Sequence, residues 1–143
     1  QPGFESSDTQ VQAAVPFYGV FDWTDRDQLQ HNPGLQTVLE ERIVKQTIAD
    51  APMLFENASP LRRIQDSAPP FMVVHGDKDS LVPIELGRVF AADLSATSKS
   101  PVVYLEVPGA QHAFDIFASP RSEHTKLGVA RFLTHTYSQY LAR

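Results

Sequence analysis

The chain has 143 residues, 42% of them hydrophobic, with 12 basic against 17 acidic side chains, a net charge of −5 and no cysteine. That length suits one domain with its own core. The acidic balance, without any run of Lys or Arg, argues against nucleic acid or an anionic membrane surface as the main partner, and the lack of cysteine removes disulfides, thiolate metal sites and a Cys nucleophile from these residues.

Residues 1–10 are polar and lack the charged n-region and apolar h-region of a signal peptide, which makes a cytoplasmic location the default expectation. The first residue is Gln rather than Met, through simple processing or because residues upstream of it are missing. No apolar run approaches the roughly 18 residues of a membrane span.

Three short apolar runs read as strands. "VQAAVPFYGV" (11–20) ends near Gly19, "PFMVVHG" (70–76) is bounded by Pro69-Pro70 and Gly76, and "PVVYLEVPG" (101–109) closes on Pro108-Gly109. Continuous apolar runs of this length suit strands covered on both faces, as in a parallel sheet. Helical patterns lie between and after them. From Pro83, residues Leu86, Val89, Phe90 and Leu94 share one helical face. From about Ser122 to Leu141, residues Val129, Phe132, Leu133, Thr136, Tyr137 and Tyr140 form a broad stripe. Both stripes are expected to pack on the sheet.

The connection between the first two strands is about fifty residues long, far beyond an ordinary βα loop. It carries a predicted helix near Leu35–Ala49 and a short helical turn starting at Ser59-Pro60, with Ser59 as N-cap. Residues 22–67 therefore read as a mostly helical insertion and a candidate cap or lid over a site. Phe21, Trp23, Leu39 and Phe55 in and beside it are candidate pocket residues, with core packing the stronger expectation for each. The order of strand, insertion, strand, helix, strand, helix implies α/β layers. The first strand, with Val11, Ala13, Ala14, Val15 and Phe17, is apolar enough to expect a neighbour on its far side.

In such a sheet, ligands collect at the carboxyl ends of the strands. The turn "GDKDSLVP" follows the second strand and "GAQHAFD" the third, so Asp77, Asp79, His112 and Asp115 are expected along one edge. An Asp and a His placed there can form the orienting half of a catalytic triad. The carboxylate accepts the imidazole Nδ1–H and leaves the other nitrogen to take a proton. A plainer role for Asp79 is to cap the following helix or to stabilise its own turn. Among the other histidines, His75 reads as packed or hydrogen-bonded, His124 and His135 as exposed on a helix, and His31 as a weak candidate. No histidine spacing resembles a metal site, and no cofactor is implied.

"FMVVHGDKDSLVP", followed about thirty residues later by "VPGAQHAFD", resembles the carboxyl-terminal part of an α/β-hydrolase-fold serine esterase or lipase, most closely the hormone-sensitive-lipase-like and carboxylesterase branches. "AAVPFYGVFDW" and "NASPLRRIQDSAPPF" are similar to other stretches of those enzymes, so the likeness runs over nearly the whole chain. It implies an α/β fold with parallel strands, flanking helices and a helical cap-like insertion, with residues 1–143 forming the C-terminal part of one domain. It also implies Asp79 as triad acid, His112 as triad base, and Asp77 as a turn residue. Leu81 and Val82 match the segment beside the acid, and Phe114 matches a wall near the histidine; these three become candidate substrate contacts. The implied substrate is a small-molecule ester.

In this family the nucleophile precedes the acid and sits in G-x-S-x-G. None of the eleven serines has that context, and no H-G-G-type oxyanion motif is present. The resemblance therefore places both upstream of residue 1, and predicts negligible esterase activity for residues 1–143 alone and association through the first strand with the missing half or with another copy. A prolyl-oligopeptidase-type peptidase, another amide hydrolase, a dienelactone-hydrolase-like enzyme with a Cys nucleophile outside the chain, and a catalytically dead scaffold share the same turns and stay open at this level.

Overall fold

The computed structural model describes Gly3 and residues 6–142; Gln1, Pro2, Phe4, Glu5 and Arg143 lie outside the described residues, and with them part of the polar stretch 1–10. At its centre are two parallel strands, β1 (Phe71–Gly76) and β2 (Val102–Val107), in register from Phe71 beside Val102 to Gly76 beside Val107. The insertion contributes α1 (Pro33–Thr37), which continues as a π-helical stretch over Val38–Val44, then α2 (Pro52–Ala58) and a 3₁₀ turn at Pro60–Arg63. Helix α3 (Ile84–Thr97) joins β1 to β2, and α4 (Pro120–Leu141) follows β2.

The predicted first strand is present only in part. Ala14 and Phe17 form isolated parallel bridges to Phe71 and Val74 of β1. Four backbone bonds hold the segment: Ala14 N to Pro70 O, Met72 N to Ala14 O, Val74 N to Pro16 O and Tyr18 N to Val74 O. The ladder breaks at Pro16, which has no N–H to donate. Residues 14–18 thus occupy a strand position beside β1 without forming a continuous strand.

Alternation along β1 sorts its side chains between two layers. Val73 faces a cluster built with Phe90, Ala91 and Leu94 of α3, closed by Phe21 and Ala68. Met72 and Val74 face the opposite way, into a cluster with Val107 and Ala110, against which Phe17, Phe114, Val129 and Phe132 pack. β1 is therefore covered on both faces, as its unbroken apolar run requires. Arg88 of α3 reaches Glu106 of β2 through paired bonds of 2.8–3.0 Å and ties helix to strand.

Helix α4 departs from its predicted stripe. Val129 and Phe132 pack against the core, but Leu133, Tyr137 and Tyr140 are exposed. Its start is set by Ser119 and Ser122, which form a reciprocal capping box, with Pro120 in the first turn.

The helix predicted over Leu35–Ala49 ends earlier. Lys45 takes a left-handed conformation at φ 60° and closes the π-helical stretch after Val44, and the Glu40 carboxylate then accepts the Ile48 N–H at 3.1 Å. Ser59 stands at the N-cap position of the 3₁₀ turn without capping it. Its buried hydroxyl instead accepts the Trp23 N–H and donates to the Phe55 carbonyl, both at 2.9 Å. Leu39 and Phe55 form a third cluster with Leu35, Val82 and Leu86, against which Trp23 packs. With Phe21, buried at the α3 layer, Leu39 and Phe55 belong to the core, and the partly buried Trp23 lies at its edge.

Candidate active site

β1 ends at Gly76 and β2 at Val107, side by side, so the turns that follow them meet. Two backbone bonds join them, Asp77 N to Val107 O and Lys78 N to Ala110 O, while Asp79 N bonds back to Gly76 O within its own turn. The fit leaves no room for a side chain at position 76, where a Cβ would lie 2.3 Å from the Ala110 carbonyl oxygen. Asp77 adds a side-chain clamp, its Oδ1 accepting the Gly109 N–H at 2.6 Å. Gln111 adds another, accepting the Ser80 N–H at 3.2 Å.

Asp79 divides its oxygens between two tasks. Oδ1 accepts the backbone N–H groups of Leu81 and Val82, each at 2.9 Å, and so shapes the turn. Oδ2 lies 2.8 Å from His112 Nδ1. The plainer role of Asp79 as turn stabiliser and the proposed role as imidazole acceptor therefore coexist in one carboxylate. Helix capping is not part of it: Pro83 is the N-cap residue of α3, with no side-chain cap bond.

Behind the acid sits His75, fully buried, with Nε2 3.0 Å from the Val82 carbonyl and 3.4 Å from Asp79 Oδ2. A carbonyl only accepts, so Nε2 carries the proton. His75 Nδ1 has no hydrogen-bond partner among the described residues. It faces Gly87 of α3, where a Cβ would come within 2.7 Å of it. Burial pushes the Asp79 carboxyl up, but hydrogen bonds from His75, Val82, His112 and Leu81 outweigh burial and hold it below its ordinary value. Asp79 is thus an ionised, enclosed acceptor, while the His112 side chain is 27% exposed.

Tyr18 completes the surroundings. Its ring lies 4.2 Å from the His112 ring, centroid to centroid, and its hydroxyl donates to Asp115 Oδ1 at 2.6 Å. Burial and the neighbouring Asp115 and Asp79 carboxylates push the Tyr18 hydroxyl up to about 12. Asp115 shares the sheet edge, as expected, and its partner is Tyr18. Leu81 is exposed beside the acid, Phe114 is half-buried against Phe17, and Val82 is 1% exposed within the core. Among the described residues no group of three or more His, Asp or Glu is placed to hold a metal ion, and no helix is long and apolar enough to cross a membrane.

The family model named BD-FAE matches residues 2–94. The chain belongs to the BD-FAE family. It is 48% identical over 138 residues to the probable carboxylic ester hydrolase LipM of Mycobacterium tuberculosis, covering 96% of this chain and 32% of that protein. Among solved structures it is similar to the butyrate-bound esterase Est2 of Thermogutta terrifontis, with TM-score 0.65 and 26% identity over 88% of this chain and 44% of that one. It is also similar to a puromycin-hydrolyzing peptidase of Mycobacterium tuberculosis, with TM-score 0.60 and 26% identity over 72% of this chain and 15% of that one. The fold is that of the α/β-hydrolase esterases, in part: the chain spans about a third of the length of the curated relatives it matches.

The sequence pointed to Asp79 and His112 and, in His75, to a packed or hydrogen-bonded residue, as found; it did not point to Tyr18 or Gln111, which also surround them. Tyr18 carried a usable signal, since "PFYG" ends the first strand at the same sheet edge. Gln111 carried none, because its partner is the Ser80 N–H, a backbone group brought to it by the meeting of two turns.

Proposed function

We propose that this chain supplies the acid and base of a carboxylic ester hydrolase whose nucleophile, a serine, is contributed by residues outside it. The observation that carries this reading is the 2.8 Å contact between Asp79 Oδ2 and His112 Nδ1, made by a buried carboxylate and a partly exposed imidazole. Asp79 holds the Nδ1–H tautomer, which leaves Nε2 as the base. His112 takes the proton of the serine hydroxyl as it attacks the ester carbonyl, then returns it to the departing alcohol. The same nitrogen activates water to release the acid, while Asp79 stabilises the imidazolium at each stage.

The segment 22–67 serves as a cap that shapes the acyl side. In support, the Asn32 side-chain amide lies 3.4 and 3.5 Å from the Ser80 and Leu81 carbonyls, and His31, Asn32 and Pro33 border an open cleft with Asp77, Asp79 and Ser80. Leu81 and Phe114 are the substrate contacts, and Val82 acts from the core by holding the turn. The free side of residues 14–18 pairs with further residues of the protein or with a second copy, since among the described residues only β1 pairs with that segment.

The test uses p-nitrophenyl butyrate, chosen because Est2 is known bound to butyrate. The full-length protein hydrolyses it, and residues 1–143 alone do not. Undiminished hydrolysis by the full-length His112→Ala variant overturns the reading. The likeness to a puromycin-hydrolyzing peptidase supports a second reading, amide hydrolysis by the same acid and base. Faster turnover of an aminoacyl p-nitroanilide than of the ester selects it.

A further inference from the structure

One hydrogen bond at Nδ1 leaves an imidazole free to swing about that contact, so the direction of Nε2 needs a second constraint. Tyr18 is placed to supply it. Its ring lies against His112 at 4.2 Å with the planes inclined at 54°. Its hydroxyl bonds Asp115, three residues after His112, at 2.6 Å. Its own N–H is anchored to the Val74 carbonyl of β1 at 2.7 Å. The backbone at Tyr18 is left-handed, with φ 37°, and so is that of Ala113 beside the histidine, with φ 60°. Two non-glycine residues thus stand in that sparsely populated region at this contact, Tyr18 itself and the residue next to His112, a strain that the surrounding structure sustains. The Tyr18 ring also makes an edge contact with Phe114, centroids 6.2 Å apart. The base loop is therefore gripped at His112, Phe114 and Asp115 by a single side chain from the first-strand segment.

We propose that Tyr18 is a positioning residue for His112: its ring fixes the imidazole plane and its hydroxyl, through Asp115, fixes the loop that carries it. This rests on the ester-hydrolase reading above, with His112 as base.

The test is steady-state hydrolysis of p-nitrophenyl butyrate by the full-length protein carrying Tyr18→Ala, Tyr18→Phe, Asp115→Ala, or Tyr18→Phe with Asp115→Ala. Misplacing a base costs kcat rather than binding. Tyr18→Ala is expected to lower kcat by about 10- to 100-fold with KM changed less than about twofold. Tyr18→Phe and Asp115→Ala each lower it by roughly 3- to 10-fold, and the double variant is no worse than either single one, because both remove the same bond. Unchanged kcat in Tyr18→Ala, a rise in KM alone, or additive loss in the double variant overturns the proposal. A readout independent of turnover is the His112 imidazole NMR signal, slow-exchanging at Nδ1–H in the parent and broadened in Tyr18→Phe and Tyr18→Ala; a signal left sharp in both also overturns it. Full activity in His112→Ala removes the ester-hydrolase reading itself, whereas loss in His112→Ala beside an unaffected Tyr18→Ala removes only the proposal.

Discussion

Asp79 Oδ2 and His112 Nδ1 stand 2.8 Å apart although 33 residues separate them in the chain. Replacing Asp79 by Asn keeps the shape but lets an amide N–H face the imidazole, which favours the wrong tautomer. In the full-length protein Asp79→Asn should lower kcat by about 10⁴-fold, and His112→Ala by a similar order. Ester hydrolysis followed by absorbance, with circular dichroism confirming the fold, measures both.

Asp77 acts on the other side of the same turn, as acceptor for the Gly109 N–H at 2.6 Å. Asn at this position retains an oxygen acceptor, so Asp77→Asn should change kcat little. Asp77→Ala leaves that N–H without its partner and should cost about 1 kcal/mol of stability, read from the urea midpoint. Greater catalytic loss in Asp77→Asn than in Asp79→Asn would show that the acid is two residues earlier than assigned.

The depressed Asp79 carboxyl gives stability a definite pH sense. Its folded value lies below the ordinary carboxyl value of 3.8. The stabilisation is therefore complete above about 4 and is lost as the pH falls through the lower folded value. Acid titration followed by circular dichroism should show the parent losing stability steeply below pH 4, with Asp79→Asn losing less over the same interval. Equal slopes would mean that Asp79 does not sense the fold.

Gly87 lets α3 approach His75, since a Cβ there would lie 2.7 Å from the buried Nδ1. Gly87→Ala must push the ring or the helix aside, and His75 bears on the oxygen that faces His112. The variant should lose about 1–3 kcal/mol and also turnover. Gly76→Ala meets backbone instead of a side chain, 2.3 Å from the Ala110 carbonyl, and should be the more destabilised of the two. Thermal melts rank them.

Much of the fold was legible because its central strand, β1, is buried on both faces. "FMVVHG" reads as a strand by its unbroken apolar run, and α3 by the spacing of Leu86, Phe90 and Leu94. The first strand was misjudged in its continuity, since apolar character marks burial whereas the ladder depends on a donor that Pro16 lacks. The α4 stripe was over-read for a related reason: periodicity shows which face is apolar, and packing decides how far along that face is covered. The insertion's first helix was extended past Val44 because nothing local in "RIVKQTIA" announces the left-handed Lys45.

By itself the sequence determined the parallel α/β order, the two turns at strand ends, and the residue types an acid and a base require. These follow from hydrophobic patterning and turn chemistry, which are local. Only the tertiary structure decided that Asp79 serves its own turn with one oxygen and His112 with the other, that His75 stands behind it, and that Tyr18 lies against the imidazole. Those relations depend on the backbone ladder that sets residues 14–18, β1 and β2 side by side with their ends at one edge, and long-range pairing of that kind is not written in any local pattern.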